Sequence, residues 1–274
     1  MQLLKQIILL LLLAGSFGIS ILVARSTPNN YAAVVVDADT GKILHKTNIH
    51  KQIPPASLTK VMTLAIIFDA LEKNKIRLTD MWPVSKHAAA QSPCKLHLSP
   101  GSYISVQNVI LSMVTQSAND AAAVTAEFFE KDEKTFARYM TKRARQFGMK
   151  DTTFKNASGL PAVGQLTTAH DMALLGLVML KHYKKYFHLF SVKEFCFQNK
   201  CYRNHNLRLL NKNHVEFDGI KTGFVNKSGF VVLATNKNAV GHYLVTVVMG
   251  GPSHVWRDNR VVELVHNLRK NEKM

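Results

Sequence analysis

The chain has 274 residues, 47% of them hydrophobic, which is enough apolar material for one well-filled core and a smaller lobe. It carries 35 lysines and arginines against 18 aspartates and glutamates, a formal charge of +17. This excess suits an anionic partner or simply a solvated basic surface, and it does not bear on the fold. Three cysteines are too few for a disulfide scaffold, and the chain has no internal repeat.

The first element is an apolar leader, MQLLKQIILLLLLAGSFGISILVARS, with a lysine near its start. A basic start followed by an apolar stretch is typical of an export signal. The apolar stretch from Ile7 to Ala24 has 18 residues, nearly enough to span a bilayer, so an uncleaved anchor is an alternative. We expect residues 1–25 to be a signal peptide or N-terminal anchor, and residues 26–274 to form one folded unit.

The mature part begins with a predicted β-hairpin, YAAVVVDADTGKILHKTN, which turns at Gly41. Residues 56–190 have mostly helical periodicity. Three β-rich runs with short connections follow, namely VEFDGIKTG, SGFVVLATN and HYLVTVVMGG. An amphipathic helix from Trp256 to Leu268 closes the chain. This order predicts helices packed on an antiparallel sheet, with the helical middle as a second lobe.

The candidate chemistry begins in PPASLTKVMTLAIIF, residues 54–68. Ser57 and Lys60 are three residues apart, so a helical turn brings the amine to the hydroxyl. A serine at a helix N-terminus has backbone N–H groups and the positive end of the dipole beside it, which suit a developing oxyanion. A lysine held among apolar side chains loses solvation, which lowers its pKa and makes it a base. We interpret the pair as an activated nucleophile.

The motif S-x-x-K is weak evidence alone, because a chain with this many serines and lysines contains one by chance. It occurs again at Ser92–Lys95, where Pro93 argues against a helix, so we interpret that copy as a chance match. Two further motifs follow the first one in order: Ser117-Ala118-Asn119 between two predicted helices, and Lys221-Thr222-Gly223 at the end of a predicted strand. S-x-x-K, S-x-N and K-T-G in this order are typical of penicillin-recognising serine enzymes.

The sequence resembles the D-alanyl-D-alanine carboxypeptidases, the low-molecular-mass penicillin-binding proteins, over nearly the whole mature chain. Besides the three motifs, the similar stretches are VVVDADTGKIL, PASLTKVMT, NASGLPAVGQLTTAHDMA, DGIKTGFVNKSGF and VVMGGPSHVWRD. The resemblance implies an α/β (α+β) fold of the β-lactamase and D,D-peptidase type. In that fold a five-stranded antiparallel sheet is flanked by helices, and the site lies between the sheet and an all-helical lobe. The resemblance implies no cofactor and no metal.

The resemblance also implies a role for each motif residue. Ser57 Oγ attacks the carbonyl between two D-alanines, Lys60 takes its proton, and Ser117 passes a proton to the leaving amine. The backbone N–H groups of Ser57 and Phe224 form the oxyanion hole. The substrate-binding residues so implied are Asn119, Lys221, Thr222, Gly223, Phe224 and Arg257.

We therefore expect an exported serine-type D-Ala-D-Ala carboxypeptidase that trims peptidoglycan stem peptides and is inhibited covalently by β-lactams. It would act in the periplasm or on the outer face of the cytoplasmic membrane of a bacterium. Two departures from the family pattern bear on specificity and attachment. Phe224 and Val225 follow K-T-G where a His-Thr pair is common. The chain also stops at the closing helix, without the β-rich second domain and C-terminal anchor of longer members, so any membrane association would come from the N-terminus.

Several alternatives remain at this stage. A D,D-endopeptidase that cuts peptidoglycan cross-links would use the same motifs. A class A-like β-lactamase is expected to have S-D-N where this chain has S-A-N, and to have a glutamate positioned for deacylation. No E-x-x-x-N segment that would supply this glutamate lies between Asn119 and Lys221. A non-catalytic basic binding protein is the third, although an export signal argues against nucleic acid as its partner.

Twelve histidines occur without H-E-x-x-H or C-x-x-C, which disfavours a metal site. Cys196 and Cys201 would either bridge a small loop or lie buried as thiols, with Cys94 unpaired.

Overall fold

The computed structural model describes residues 28, 30–211, 217–237 and 241–271. The expected signal peptide or anchor, residues 1–25, lies outside the described residues. Within the described ranges, no helix combines the length and the apolar character that a membrane span requires.

The strands, in chain order, are β1 (Ala32–Asp37), β2 (Ile43–Thr47), β3 (Met81–Pro83), β4 (Tyr103–Ser105), β5 (Glu194–Phe197), β6 (Lys200–Arg203), β7 (Phe217–Val225), β8 (Gly229–Lys237) and β9 (Tyr243–Gly251). Five of them form one antiparallel sheet in the order β2-β1-β9-β8-β7. The other four pair as two short hairpins, β3 with β4 and β5 with β6. The K-T-G strand β7 is therefore an edge strand of the main sheet.

The helices, in chain order, are α1 (Thr59–Glu72), α2 (Lys86–Ala90), α3 (Val106–Thr115), α4 (Asn119–Phe129), α5 (Glu133–Gln146), α6 (Ala169–His182), α7 (Lys184–Phe187), α8 (Leu207–Leu210) and α9 (His254–Asn271). Two 3₁₀ segments, Ala56–Leu58 and His188–Ser191, complete the helical structure of the described residues. Helix α4 packs against α1, α3 and α5 and forms the helical lobe with them. Helices α6 and α9 pack on the main sheet.

The main sheet is covered on both faces. Val34 and Val36 of β1 belong to the larger apolar cluster, which includes buried residues of α6 and of the helical lobe. Ala33 and Val35, which alternate with them, belong to a second cluster with buried residues of α9. Because successive strand residues point to opposite faces, a strand buried on both faces reads as the continuous apolar run found in β1. The predicted fold, helices on an antiparallel sheet with a helical lobe, is confirmed.

The predicted first hairpin is closed by a side-chain-stabilised turn. Asp37 Oδ1 accepts hydrogen bonds from the backbone N–H groups of Asp39 (3.0 Å) and Thr40 (2.8 Å). Gly41 follows with φ +74°, a conformation that glycine adopts at little cost. An aspartate that caps its own turn in this way sets the register of β1 against β2.

A disulfide joins Cys196 and Cys201 across the β5–β6 hairpin, where the two residues are register partners. Of the two alternatives that the sequence left open for these cysteines, the structure has the bridge. Cys94 is a free thiol of intermediate exposure.

Candidate active site

Ser57 lies in the 3₁₀ segment Ala56–Leu58 that leads into α1. Residues i and i+3 eclipse in a 3₁₀ turn, so the S-x-x-K spacing suits this geometry as well as an α-helix. Ala56 has φ +48°, a left-handed conformation that is uncommon for a residue other than glycine. Its carbonyl is packed against Gly159, where a Cβ atom would lie 1.8 Å from the Ala56 oxygen. Close backbone packing thus holds the turn that presents Ser57.

Lys60 is fully buried, and its Nζ has three oxygen neighbours. Nζ lies 2.7 Å from Asn119 Oδ1, 2.6 Å from the Ser158 carbonyl oxygen and 3.3 Å from Ser57 Oγ. Burial, and next the positive charge of Lys221, hold the pKa of Lys60 well below its ordinary value. A neutral amine donates two hydrogens and has one lone pair. Lys60 can therefore donate to the two nearer oxygens and accept the Ser57 hydroxyl proton.

The S-x-N motif lies at the junction of α3 and α4. Ser117 has φ +60° and is 3% exposed, and its Oγ has no hydrogen-bond partner among the described residues. Asn119 is fixed from both sides, since its N–H donates to the Cys94 carbonyl (2.7 Å) and its Nδ2 donates to the Ser92 carbonyl (3.2 Å). A buried hydroxyl without a partner, on a strained residue, is typical of a functional site.

The K-T-G motif brings a second buried lysine to the site. Lys221 is 1% exposed, and its Nζ donates to the Thr222 carbonyl oxygen at 3.0 Å. Burial is the main reason that the pKa of Lys221 falls to about 7. Gly223 faces the turn that carries Ser57, where a Cβ atom would lie 2.8 Å from the backbone nitrogen of Ser57. The strand can approach Ser57 this closely because residue 223 has no side chain.

These elements enclose a cleft of about 340 Å³ between the main sheet and the helical lobe. The residues that line it are Ser57, Pro93, Cys94, Ser117, His205, Arg208, Thr222, Gly223, Phe224, Phe230, His254, Arg257 and Asp258. Six of the nine predicted site residues are among them. The other three, Lys60, Asn119 and Lys221, are buried behind the lining, and Lys60 is hydrogen-bonded to Asn119.

The family model described as "D-alanyl-D-alanine carboxypeptidase" matches residues 23–253. The chain belongs to this family.

Two relatives and one solved neighbour illustrate the similarity. The chain is 32% identical over 243 residues to D-alanyl-D-alanine carboxypeptidase DacF of Bacillus subtilis, an alignment that covers 85% of this chain and 60% of DacF. It is 33% identical over 240 residues to DacC of Escherichia coli, again covering 85% and 60%. The crystal structure of penicillin binding protein 5 from Haemophilus influenzae superposes with a TM-score of 0.82 at 30% identity, over 85% of this chain and 68% of that one. The chain spans about 60% of the length of these curated relatives.

In this member of the carboxypeptidase family, Arg257 is held by its neighbour in the chain. Its Nε and Nη2 donate to Asp258 Oδ1 at 2.8 and 2.7 Å, and the arginine is 4% exposed. Arg208 lies 3.7 Å from the other oxygen of Asp258. Asp258 binds the edge of the Arg257 guanidinium that is formed by Nε and Nη2. The other edge, formed by Nη1 and Nη2, points in a different direction. A bidentate grip on a carboxylate uses an edge of that kind.

Seven of the thirteen lining residues were not among the predicted site residues, and two of these, His205 and Cys94, lie on loops. His205 has an exposed side chain by surface area but lines the cleft, where neighbouring atoms desolvate its ring. This desolvation, together with the positive charges of Lys221, Lys60 and Arg257, lowers the pKa of His205 to about 4. Cys94 belongs to the second S-x-x-K copy, which is not helical, as predicted. No local pattern marks either residue, because each reaches the cleft through a loop whose course depends on tertiary contacts.

Proposed function

We propose that the protein is an exported serine-type D-Ala-D-Ala carboxypeptidase acting on peptidoglycan stem peptides. The observation that carries this proposal is the environment of Lys60. Lys60 is fully buried, and burial together with the charge of Lys221 favours its neutral form. Two fixed oxygens position its Nζ, which lies 3.3 Å from a serine hydroxyl at the wall of a cleft. Family membership supports the substrate, a peptide that ends in D-Ala-D-Ala. The enzyme would need no cofactor.

In the first half-reaction Ser57 Oγ forms a bond to the penultimate carbonyl carbon as its proton moves to Lys60 Nζ. The oxyanion is stabilised by the backbone N–H groups of Ser57 and Phe224, which the close packing of Gly223 brings together. The C–N bond then breaks, and the proton passes from Lys60 through Ser117 to the departing amine. The products of this step are free D-alanine and a Ser57 ester.

In the second half-reaction a water molecule attacks the ester. Lys60 accepts the proton of the water and returns one to Ser57 Oγ as the shortened peptide leaves. A β-lactam would acylate the same hydroxyl and deacylate slowly, which makes β-lactams the expected covalent inhibitors.

The terminal carboxylate of the substrate is proposed to lie between Thr222 and the Nη1–Nη2 edge of Arg257. Both residues line the cleft, and Lys221 lies directly before Thr222 in the same strand. An anion at this position favours the charged form of Lys221, because an opposite charge raises the pKa of an ammonium group. Substrate binding would thus hold Lys221 in its charged form, the form that lowers the pKa of Lys60.

The location and the division of the chain are proposals as well. We retain residues 1–25 as a signal peptide or N-terminal anchor and residues 26–274 as the peptidase domain. The protein would then work outside the cytoplasm of a bacterium, with any membrane association made through its N-terminus. An endopeptidase acting on cross-links remains the second candidate, since Phe224 exposes an aromatic ring in the cleft where it can meet a larger leaving group.

The test is covalent labelling with a fluorescent penicillin, combined with mass analysis of digested muropeptides. Ser57→Ala is expected to abolish both labelling and the release of D-alanine. Ser92→Ala is the matched control, because Ser92 heads the second S-x-x-K copy, and this variant keeps the backbone carbonyl that binds Asn119. Loss of one alanine per peptide indicates a carboxypeptidase, whereas monomers released from dimers indicate an endopeptidase. A Ser57→Ala protein that still labels, or a folded wild type that neither labels nor cuts, contradicts the proposal.

A further inference from the structure

Three aromatic side chains form a continuous surface at one end of the cleft, which we call the aromatic shelf (Phe224, Phe230 and His254). The ring centroids of Phe224 and Phe230 lie 4.4 Å apart, and those of Phe230 and His254 lie 6.1 Å apart. All three residues line the same cleft as Ser57. Phe224 is nevertheless 49% exposed, so a large apolar ring meets water inside a site of otherwise polar chemistry.

The strand register fixes where the shelf lies. Phe224 on β7 is paired with Phe230 on β8. Phe224 is two residues after Thr222, so the two side chains point to the same side of β7. His254 is one helical turn before Arg257 on α9, which places both on one face of that helix. The shelf therefore adjoins the two groups at which the substrate carboxylate is proposed to bind.

A carboxylate held at Thr222 and Arg257 belongs to the residue that leaves when the amide is cut. The side chain of that leaving residue projects from the carbon that carries the carboxylate, so it can extend from that position over the shelf. The methyl group of D-alanine covers little of a surface made of three rings. A longer aliphatic chain would remove much more of that surface from water.

We propose that the aromatic shelf is a subsite for the side chain of the leaving D-residue and that it favours a long, unbranched, largely apolar chain. The chemical class that fits is a D-amino acid with a chain of several methylenes. Because Phe224 is 49% exposed, the far end of such a chain can reach solvent and can be polar. The inference rests on the proposed acyl transfer at Ser57.

The test compares two diacetyl-L-lysyl-D-alanyl peptides, one ending in D-alanine and one in D-norleucine. The quantity measured is the ratio of their kcat/KM values, because a ratio cancels general losses of activity. In Phe224→Ala the norleucine-to-alanine ratio is expected to fall about tenfold, as the added methylenes lose one wall of their contact. Phe224→Leu, which keeps an apolar side chain, is expected to retain most of the preference.

Tyr103→Ala is the matched control, since Tyr103 is an aromatic residue that is 61% exposed on β4 and does not line the cleft. Its ratio should equal that of the wild type. Labelling by fluorescent penicillin is measured for every variant, so that the two proposals fail separately. If Phe224→Ala keeps the wild-type ratio, including the case in which both kcat/KM values fall equally, the shelf is not a subsite. Continued labelling of that variant by penicillin would show that the Ser57 chemistry is intact. A wild type that neither labels nor cuts either peptide overturns the proposed function and the shelf with it.

Discussion

Replacing Gly223 by alanine tests whether the close approach of β7 to the turn that carries Ser57 builds the oxyanion hole. The added Cβ would lie 2.8 Å from the Ser57 nitrogen, 3.1 Å from Ala56 Cβ and 3.1 Å from Val231 Cγ2. The first of these atoms is backbone, so no side-chain rotation relieves the contact. Either β7 or the turn that carries Ser57 has to move.

The size of that movement follows from the contact distance. Ordinary van der Waals contact for a Cβ atom begins at 3.4 Å, so the gap has to open by 3.4 − 2.8 = 0.6 Å. Oxyanion-hole donors work at about 2.7–3.1 Å, and the two donors lie on the two elements that move apart. A shift of this size puts one N–H out of range, and loss of one such donor lowers the rate by about 10²–10³. Overpacking is expected to lower the free energy of unfolding by about 1–3 kcal/mol.

The assay is the second-order rate of acylation by a chromogenic cephalosporin, measured beside thermal unfolding. Gly176→Ala is the matched control, because its Cβ would lie 2.7 Å from Val245 Cγ1, between α6 and the sheet and away from the cleft. It should lose stability to a comparable degree and acylate at the wild-type rate. If Gly223→Ala melts like the control yet acylates within about threefold of the wild type, close approach does not set the oxyanion hole.

Two further predictions concern buried charges. Lys221→Met removes a positive charge that lowers the pKa of Lys60, so the ascending limb of kcat/KM against pH should move to higher pH, whereas Lys221→Arg should leave it in place. If the ascending limbs of Lys221→Met and the wild type coincide, the charge of Lys221 does not lower the pKa of Lys60. Asp120→Ala removes the carboxylate that accepts from the Leu96 and Leu98 N–H groups, and the free energy of unfolding in urea should fall by about 2–4 kcal/mol. A loss below about 1 kcal/mol would show that these N–H groups find other acceptors.

Most of the sheet was predictable because its strands are long and strongly apolar. The hairpin of β1 and β2 and the three later strands were confirmed, since runs of β-branched residues between turn signals are the strongest strand patterns. The hairpins β3–β4 and β5–β6 were not predicted. Their strands have three or four residues, too few for a periodicity to stand out, and they pair only because the surrounding loops are folded.

The Ser57–Lys60 pair illustrates what a local pattern predicts well. The spacing of Ser57 and Lys60 predicts contact within one turn, and the apolar neighbours of Lys60 predict its burial and lowered pKa. The conformation of the turn itself was not predicted. Its left-handed Ala56 is stabilised by packing against Gly159, a residue far away in the chain.

Local patterns along the chain identify the three motifs and their order, because motif spacing and strand and helix periodicity are short-range properties. Only the packed fold shows how the motifs are joined: the approach of Gly223 to Ser57, the pairing of Arg257 with Asp258, and the aromatic shelf beside the proposed carboxylate site. Burial, pKa values and cleft shape differ from these patterns because they depend on contacts between segments that are distant in the chain. No spacing along the chain encodes such contacts until the sheet and the helical lobe have packed together.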